Sequence, residues 1–404
     1  MGGSQWDELC AYLPQLRKGG LRVCTAIVAV TLSPCALLYG CGSGGASNTP
    51  TQTQTAAPTV STTDPTGDAQ NGAVVVTLAS TTPGATLYYT VDGSTPTTSS
   101  TIYKAPFLVA SNLTVKAVAQ SEGDTMSNVT NQTFTPDISS GTLVWSDEFS
   151  NSTDANAQPN PAVWIYRTGA DTNLSVDIHC AYQSSISPCD PAYPNSFMGT
   201  DGYLHIVGQQ PSAGVYTSAR VQTQGLFSFQ YGRLEARIWV PEGQGLWPAF
   251  WLLGNNGTTA AGGQDAEMDV MERVNAAGPP NANAPAGTSD WNEGSIHGPG
   301  LLGGNIGVTY YFTGGATAAG WHTYGVIKSP NSIAYYVDDP TRPYATFTPS
   351  SITGFPGAVW NFDNGQSFYI ILNIAIGGRW PGPPNSTTPF PATMLVDYVR
   401  IYTN

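Results

Sequence analysis

Glu267, Asp269 and Glu272 stand among apolar residues in Asp265-Ala266-Glu267-Met268-Asp269-Val270-Met271-Glu272-Arg273-Val274. Charge placed against a core is costly, so an acid cluster of this kind calls for a chemical reason. Two carboxyls in different protonation states can cleave a glycosidic bond: one attacks the anomeric carbon while the other protonates the departing oxygen. With retention of configuration, that chemistry needs the two groups about 5 to 5.5 Å apart. A salt-bridged surface strand is the plain alternative, and the scarcity of nearby cations speaks against it.

The element that holds these acids reads as a strand. Period-two alternation puts Glu267 and Asp269 on one face, but Glu272, at an odd offset, on the other. One extra residue near Val270-Met271, a β-bulge, returns Glu272 to the face of the other two. The glutamates are then four ladder positions apart, roughly 13 Å along the backbone, a gap that two long side chains leaning together can narrow.

The surrounding sequence is strand-like as well. The segments 233–240 and 394–402 alternate apolar with polar residues, and no segment keeps a helical period. Strands of this kind suit two packed antiparallel sheets. At 404 residues the chain should hold two or three units. Charged residues make up 10% of it, against roughly 25% in ordinary soluble proteins, which favours an all-β extracellular protein. The formal charge of -13 leaves no basic stripe for phosphates, so nucleic acid is excluded as the expected partner and a neutral polymer fits better.

Arg17, Lys18 and Arg22 precede an apolar run over 23–38, too short and too interrupted by Pro34 for a comfortable spanning helix. It ends in Leu38-Tyr39-Gly40-Cys41, which resembles a bacterial lipobox, with Tyr39 larger than usual. The expectation is a lipoprotein-type signal over 1–41, lipid on Cys41, and an exported protein that is secreted or held in the cell envelope. An ordinary signal peptide is the alternative. Cys180 and Cys189 are then expected to bridge a loop in an oxidising compartment; a metal pair there would have only His179 nearby. Residues 42–67 carry almost no large apolar side chain and read as a flexible linker.

Short β-prone runs separated by turn signals make 68–136 a small sandwich. Tyr88-Tyr89-Thr90-Val91-Asp92-Gly93-Ser94-Thr95-Pro96, with Tyr103 and Pro106, resembles the chitobiase/hexosaminidase C-terminal type of immunoglobulin-like domain. The resemblance implies a spacer or accessory module without catalytic residues. Tyr88 and Tyr89 read as packing more readily than as sugar contacts.

Over 142–404 the motifs resemble another family. Glu-Met-Asp-Val-Met-Glu looks like the Glu-x-Asp-x-x-Glu signature of glycoside hydrolase family 16, in the bulged form of its laminarinase-like branch. Leu143-Val144-Trp145-Ser146-Asp147-Glu148-Phe149, Gly245-Leu246-Trp247-Pro248-Ala249-Phe250-Trp251 and Leu372-Asn373-Ile374-Ala375-Ile376-Gly377-Gly378-Arg379-Trp380 resemble other segments of that family in the same order. The resemblance implies a β-jelly-roll catalytic domain that retains configuration, with Glu267 as nucleophile, Glu272 as acid/base and Asp269 between them, hydrogen-bonded to Glu267. It further implies an endo-acting hydrolase of laminarin-like β-1,3-glucan or mixed-linkage glucan, monomeric, touching a membrane only through its lipid, and needing no cofactor for catalysis. Trp247 and Trp251 could offer flat faces to sugar rings, with core packing as the rival. Arg220, Asn195, Asn373 and Trp380 are further binding expectations, and His297 resembles a family histidine beside the acid/base. Glu148 and Asp397 match positions that hold a structural calcium ion in relatives. The same fold hosts galactan hydrolases and transglycosylases, and a surface glycan-binding lipoprotein is the non-enzymatic alternative.

Overall fold

A computed structural model of the protein describes residues 52–404 except 66, 68–70, 151, 152, 155, 171–174, 256–265, 275–289, 302–305 and 314–317. The leader, Cys41 and the first part of the expected linker lie outside the described residues. Those described belong to one compact unit, Gln52–Asn404. They are almost entirely β, the exception being one 3-10 turn at Pro349–Ile352.

Part of the expected linker is a strand. Thr59–Thr63 pairs antiparallel with Val74–Ala79, Thr59 opposite Ala79 and Thr63 opposite Val75. Composition misled here because burial holds little of this segment: four of its five residues are exposed, Val60 alone of the five packs against the small core, and the backbone ladder of an edge strand rich in β-branched residues supplies most of the order. Thr59–Thr63, Val74–Ala79 and Phe107–Val109 make one sheet of the small domain. Thr101–Ile102, Thr86–Thr90, Leu113–Gln120 and Thr130–Phe134 make the other. Between them lie Val76, Leu78, Phe107, Val115 and Tyr89. The Tyr89 ring stacks on Phe107 at 5.1 Å, so it packs.

This immunoglobulin-like domain is seated on its neighbour. Leu108 N donates to Ser228 O at 2.8 Å and Ser228 Oγ to Pro106 O at 2.8 Å. Ala73, Val75 and Leu108 are buried in the same core cluster as the large domain's own residues. A side chain such as Leu108 contributes about 1.5 to 3 kcal/mol by its burial. Leu108→Ala is therefore expected to lower the unfolding free energy by about 2 to 5 kcal/mol, with both domains melting in one transition in a calorimetric scan.

The large domain is a β-jelly-roll sandwich. Its seven-stranded sheet runs in the order Ile306–Tyr311, Trp291–His297, Glu267–Glu272, Leu246–Gly254, Phe368–Ile376, Arg220–Gln222, Ile165–Tyr166. The opposing eleven-stranded sheet is centred on Leu204–Ser212, Ala392–Tyr402, Gly232–Trp239 and Trp321–Ser329. Gly232–Trp239 obeys simple alternation: Leu234, Ala236 and Ile238 are fully buried, while Arg237 reaches outward to Asp397 at 2.6 Å. Ala392–Tyr402 does not alternate throughout. Arg237 pairs with Tyr398 and Ile238 with Val396, so Asp397 is an extra, bulged residue. The shift lets Val399 and Ile401 join Met394 and Val396 in the core, where unbroken alternation would have put Tyr398.

Cys180 and Cys189 form a disulfide with their Cα atoms 5.8 Å apart. The segment just before Cys180 is fastened to the Phe368–Ile376 strand, where Ile376 N donates to Asp177 Oδ1 at 2.9 Å and Val176 N to Ile376 O at 2.8 Å.

Candidate active site

The site is built on the face of the seven-stranded sheet that is turned away from the core. On the neighbouring strand Leu253 stands opposite Glu267, Trp251 opposite Asp269, Phe250 opposite Met271 and Ala249 opposite Glu272. Val270 has no partner in that register. It is the extra residue of a bulge, and it is buried beside Met268 and Met271. Four positions from Leu253 to Ala249 thus accommodate the five steps from Glu267 to Glu272, and all three acids share one face.

On the other side of the acid strand Glu267 pairs with His297, Asp269 with Ser295 and Glu272 with Glu293. Ser295 Oγ donates to Asp269 Oδ2 at 2.5 Å, and His297 Nε2 lies 3.0 Å from the same oxygen and 3.9 Å from Glu267 Oε1. Tyr335 OH fixes the strand from behind by donating to Ser295 O at 2.7 Å. The sequence placed His297 beside the acid/base; the structure sets it across from Glu267 and in contact with Asp269.

The three acids sit in unlike surroundings. Glu272 is buried, at 8% exposure, whereas the Glu267 side chain is about one-third open at 31%. Burial above all, then the charges of Asp269 and Glu267, push the Glu272 carboxyl well above its ordinary range; His297 and a hydrogen bond from Trp247 draw it partly back. Burial works against a charged His297, but its hydrogen bond to Asp269 and the charges of Asp269, Glu267 and Glu272 outweigh it, and its pKa is pushed up to about 10. Ligand atoms of Glu267, Asp269 and His297 all lie within 4.8 Å of one another. The imidazolium supplies the positive charge in that space. Burial thus favours the protonated form of Glu272 beside the more open Glu267, which is the division of labour that general acid and nucleophile require.

The aromatic residues frame the acids. Trp247 Nε1 donates to Glu272 Oε1 at 2.9 Å, and its ring meets Trp380 edge-on at 5.0 Å. Trp380 follows the left-handed pair Gly377 and Gly378, at φ 69° and 108°. A Cβ on Gly377 would stand 2.6 Å from Val176 Cγ2, so this turn needs glycine. Trp251 Nε1 donates to Asn373 Oδ1 at 2.7 Å, and the Arg220 guanidinium covers one face of its ring at 4.5 Å. Trp251 is therefore held as much by its neighbours as it is offered to a ligand. Residues that sequence reasoning missed are Trp291, Glu293 and Ser295. They alternate with His297 on one strand, so period two from His297 would have found them; Trp291 also packs against Trp380, at 6.1 Å.

Two expectations need correction. Asn195 is buried at 2% exposure, and its side-chain amide donates to Val207 O at 2.8 Å and Thr217 Oγ1 at 3.1 Å. Those bonds tie strands of the larger sheet together, and Asn195 does not join the face that carries the acids. Glu148 and Asp397 do not form a calcium set. Arg400 donates to both oxygens of Glu148, at 2.9 and 2.7 Å, and Arg237 donates to Asp397 Oδ2 at 2.6 Å. Carboxylates already neutralised by arginines offer a divalent cation little.

The family model for glycosyl hydrolases family 16 matches residues 192–398, a span that contains all three acids. The chain belongs to that family. Another model, Fn3 associated, matches residues 76–134 in the small domain. This family 16 hydrolase is 33% identical over 267 residues to a beta-glucanase of Rhodothermus marinus, covering 64% of this chain and 84% of that one. It is 31% identical over 291 residues to glucan endo-1,3-beta-glucosidase A1 of Niallia circulans, covering 66% of this chain but 38% of the relative. The catalytic domain of an endo-1,3-beta-glucanase (laminarinase) from Thermotoga petrophila RKU-1 superposes with a TM-score of 0.52 at 30% identity, covering 66% of this chain and 99% of that domain. Family 16 hydrolases need no cofactor for the reaction.

Proposed function

We propose that this family 16 hydrolase cleaves internal linkages of β-1,3-glucan or mixed-linkage β-1,3-1,4-glucan by double displacement. The observation that carries the reading is the bulge at Val270, which turns Glu267, Asp269 and Glu272 onto one face while leaving Glu272 buried and Glu267 open. Glu267 attacks the anomeric carbon and Glu272 gives its proton to the leaving oxygen. Glu272 then takes a proton from the water that releases the sugar. Asp269 is held beside the pair by Ser295 and His297, and its proximity is one of the causes that raise the Glu272 carboxyl. The glucanase names of the relatives and the fit to a laminarinase domain support the substrate class.

The test is reducing-sugar release by the full chain on laminarin, barley mixed-linkage glucan, agarose and carrageenan. Cleavage of the two glucans is expected. Activity confined to a galactan would overturn the substrate, and inactivity on all four would overturn the enzyme.

The same reading sets the pH dependence. Trp247 donates to Glu272 and favours its ionised form, so Trp247→Phe raises the acid's pKa further. The alkaline limb of kcat/KM is expected to move to higher pH, measured as a pH profile on laminarin beside the parent protein; a limb that stays or moves down contradicts the assignment.

A structural calcium ion at Glu148 and Asp397 would have to displace Arg400 and Arg237. The unfolding midpoint is therefore expected to be the same with and without a chelator. A fall in that midpoint would restore the ion. Export with a lipid on Cys41 is part of the proposal on the strength of the leader sequence alone, and a mature N-terminus other than Cys41 in mass spectrometry would remove it.

A further inference from the structure

The small domain and the catalytic sandwich do not close completely where they meet. A cavity of about 450 Å³ opens at the seam, within the size range of small-ligand sites. Thr90, Ser111 and Asn112 line it from the immunoglobulin-like side, and Gln230, Tyr231 and Asn364 from the catalytic side. We propose that this seam is a second binding site, separate from the acids, for a neutral oligosaccharide.

The walls are built and fixed. Thr101 Oγ1 donates across the seam to Asn364 O at 2.9 Å, and the buried Tyr89 OH donates to Gly365 O at 3.4 Å. Most lining side chains are of hydroxyl or amide type, and the surface they present with Val91, Leu113 and Tyr231 is about equally polar and apolar, as are the hydroxyls and C–H faces of a sugar. Its two carboxylates already have donors: Asp363 accepts from Lys328 Nζ at 2.6 Å, Trp360 Nε1 at 2.6 Å, Asn331 N at 2.9 Å and Tyr231 OH at 3.1 Å, and Asp92 Oδ1 accepts from Ser94 N at 2.9 Å. Among the described residues that line the cavity there is no lysine or arginine, so an anion finds carboxylates and no counter-charge. An apolar ligand would cover hydroxyls and amides without giving them partners. A polyol, with a donor and acceptor at every hydroxyl, meets them. None of the lining residues belongs to the sheet face that carries Glu267 and Glu272. A polymer gripped at the seam would be held at raised effective concentration for the acids.

The class of ligand rests on the lining; the choice of a β-1,3-linked probe rests on the function proposed above. The full chain carrying Glu272→Gln, which binds without cleaving, is titrated calorimetrically with β-1,3-linked glucohexaose and, separately, with agarohexaose. Two binding events are expected with at least one of these neutral probes. Ser111→Trp, which fills the cavity from an exposed bend, is expected to weaken one of the events by about tenfold or more and to leave the other unchanged; Gln230→Ala should weaken the same event. Equal melting curves for the variants would show that the fold is retained. A single event with both probes, or two events that Ser111→Trp leaves alone, overturns the proposal. Hydrolysis of laminarin by the parent protein is read separately, so the glucan reading and the second site can fail independently.

Discussion

Glu272→Gln is expected to lower kcat on unactivated glucan by about 10² to 10⁴-fold and, at neutral pH, to unfold at a higher temperature than the parent protein. Both effects come from the same burial. The amide cannot protonate the leaving oxygen, so the first step loses its acid. It can still accept the Trp247 Nε1 hydrogen bond and fill the same space. The stability sign follows from linkage: Glu272 is held well above its ordinary value near 4.5. A group raised on folding contributes stability that is complete below the unfolded pKa and is lost as pH rises through the folded one. Above the unfolded value the parent protein therefore carries a cost that glutamine does not. Melting temperatures of the two proteins should converge in acid and separate toward neutrality, with the variant higher. Equal activity would remove Glu272 from the reaction, and a lower neutral melting temperature would contradict the account of its burial.

Glu267→Ala is expected to lose more, on the order of 10⁴ to 10⁶-fold in kcat, as the loss of a covalent nucleophile does elsewhere. It leaves a gap on the side of the sugar from which Glu267 attacks. Azide can enter that gap and attack an activated β-glucoside directly. With no glycosyl-enzyme to invert a second time, the product is an α-glycosyl azide. Rate recovery with azide and the α product by NMR would assign Glu267 as nucleophile. A β-glycosyl azide would exchange the roles of the two glutamates.

Much of this was legible in the sequence, and the reasons differ from residue to residue. The bulge followed from an odd offset between two acids that had to share a face, and the pairing of Ala249 with Glu272 and Leu253 with Glu267 is its physical form. The all-β sandwich followed from alternation and from the lack of a helical period. Alternation failed at Asp397, where a second bulge has no chemical signature to announce it. The strand Thr59–Thr63 was hidden because its order comes from backbone pairing at an edge, and composition reports only burial. Asn195 and the pair Glu148 and Asp397 were placed by resemblance. A resemblance carries residue types across and says nothing of the partners, Thr217, Arg400 and Arg237, that occupy those side chains here. The seam cavity was out of reach in principle, since it is lined by segments more than a hundred residues apart whose meeting depends on how two domains dock.

The central claim, retaining hydrolysis of a β-glucan through Glu267 and Glu272, is tested most directly by following the anomeric protons of the first reducing ends released from laminarin by the full chain. The account predicts that β-anomers appear first and then mutarotate toward equilibrium. First release of α-anomers would show a single displacement and contradict the assignment of Glu267 as nucleophile.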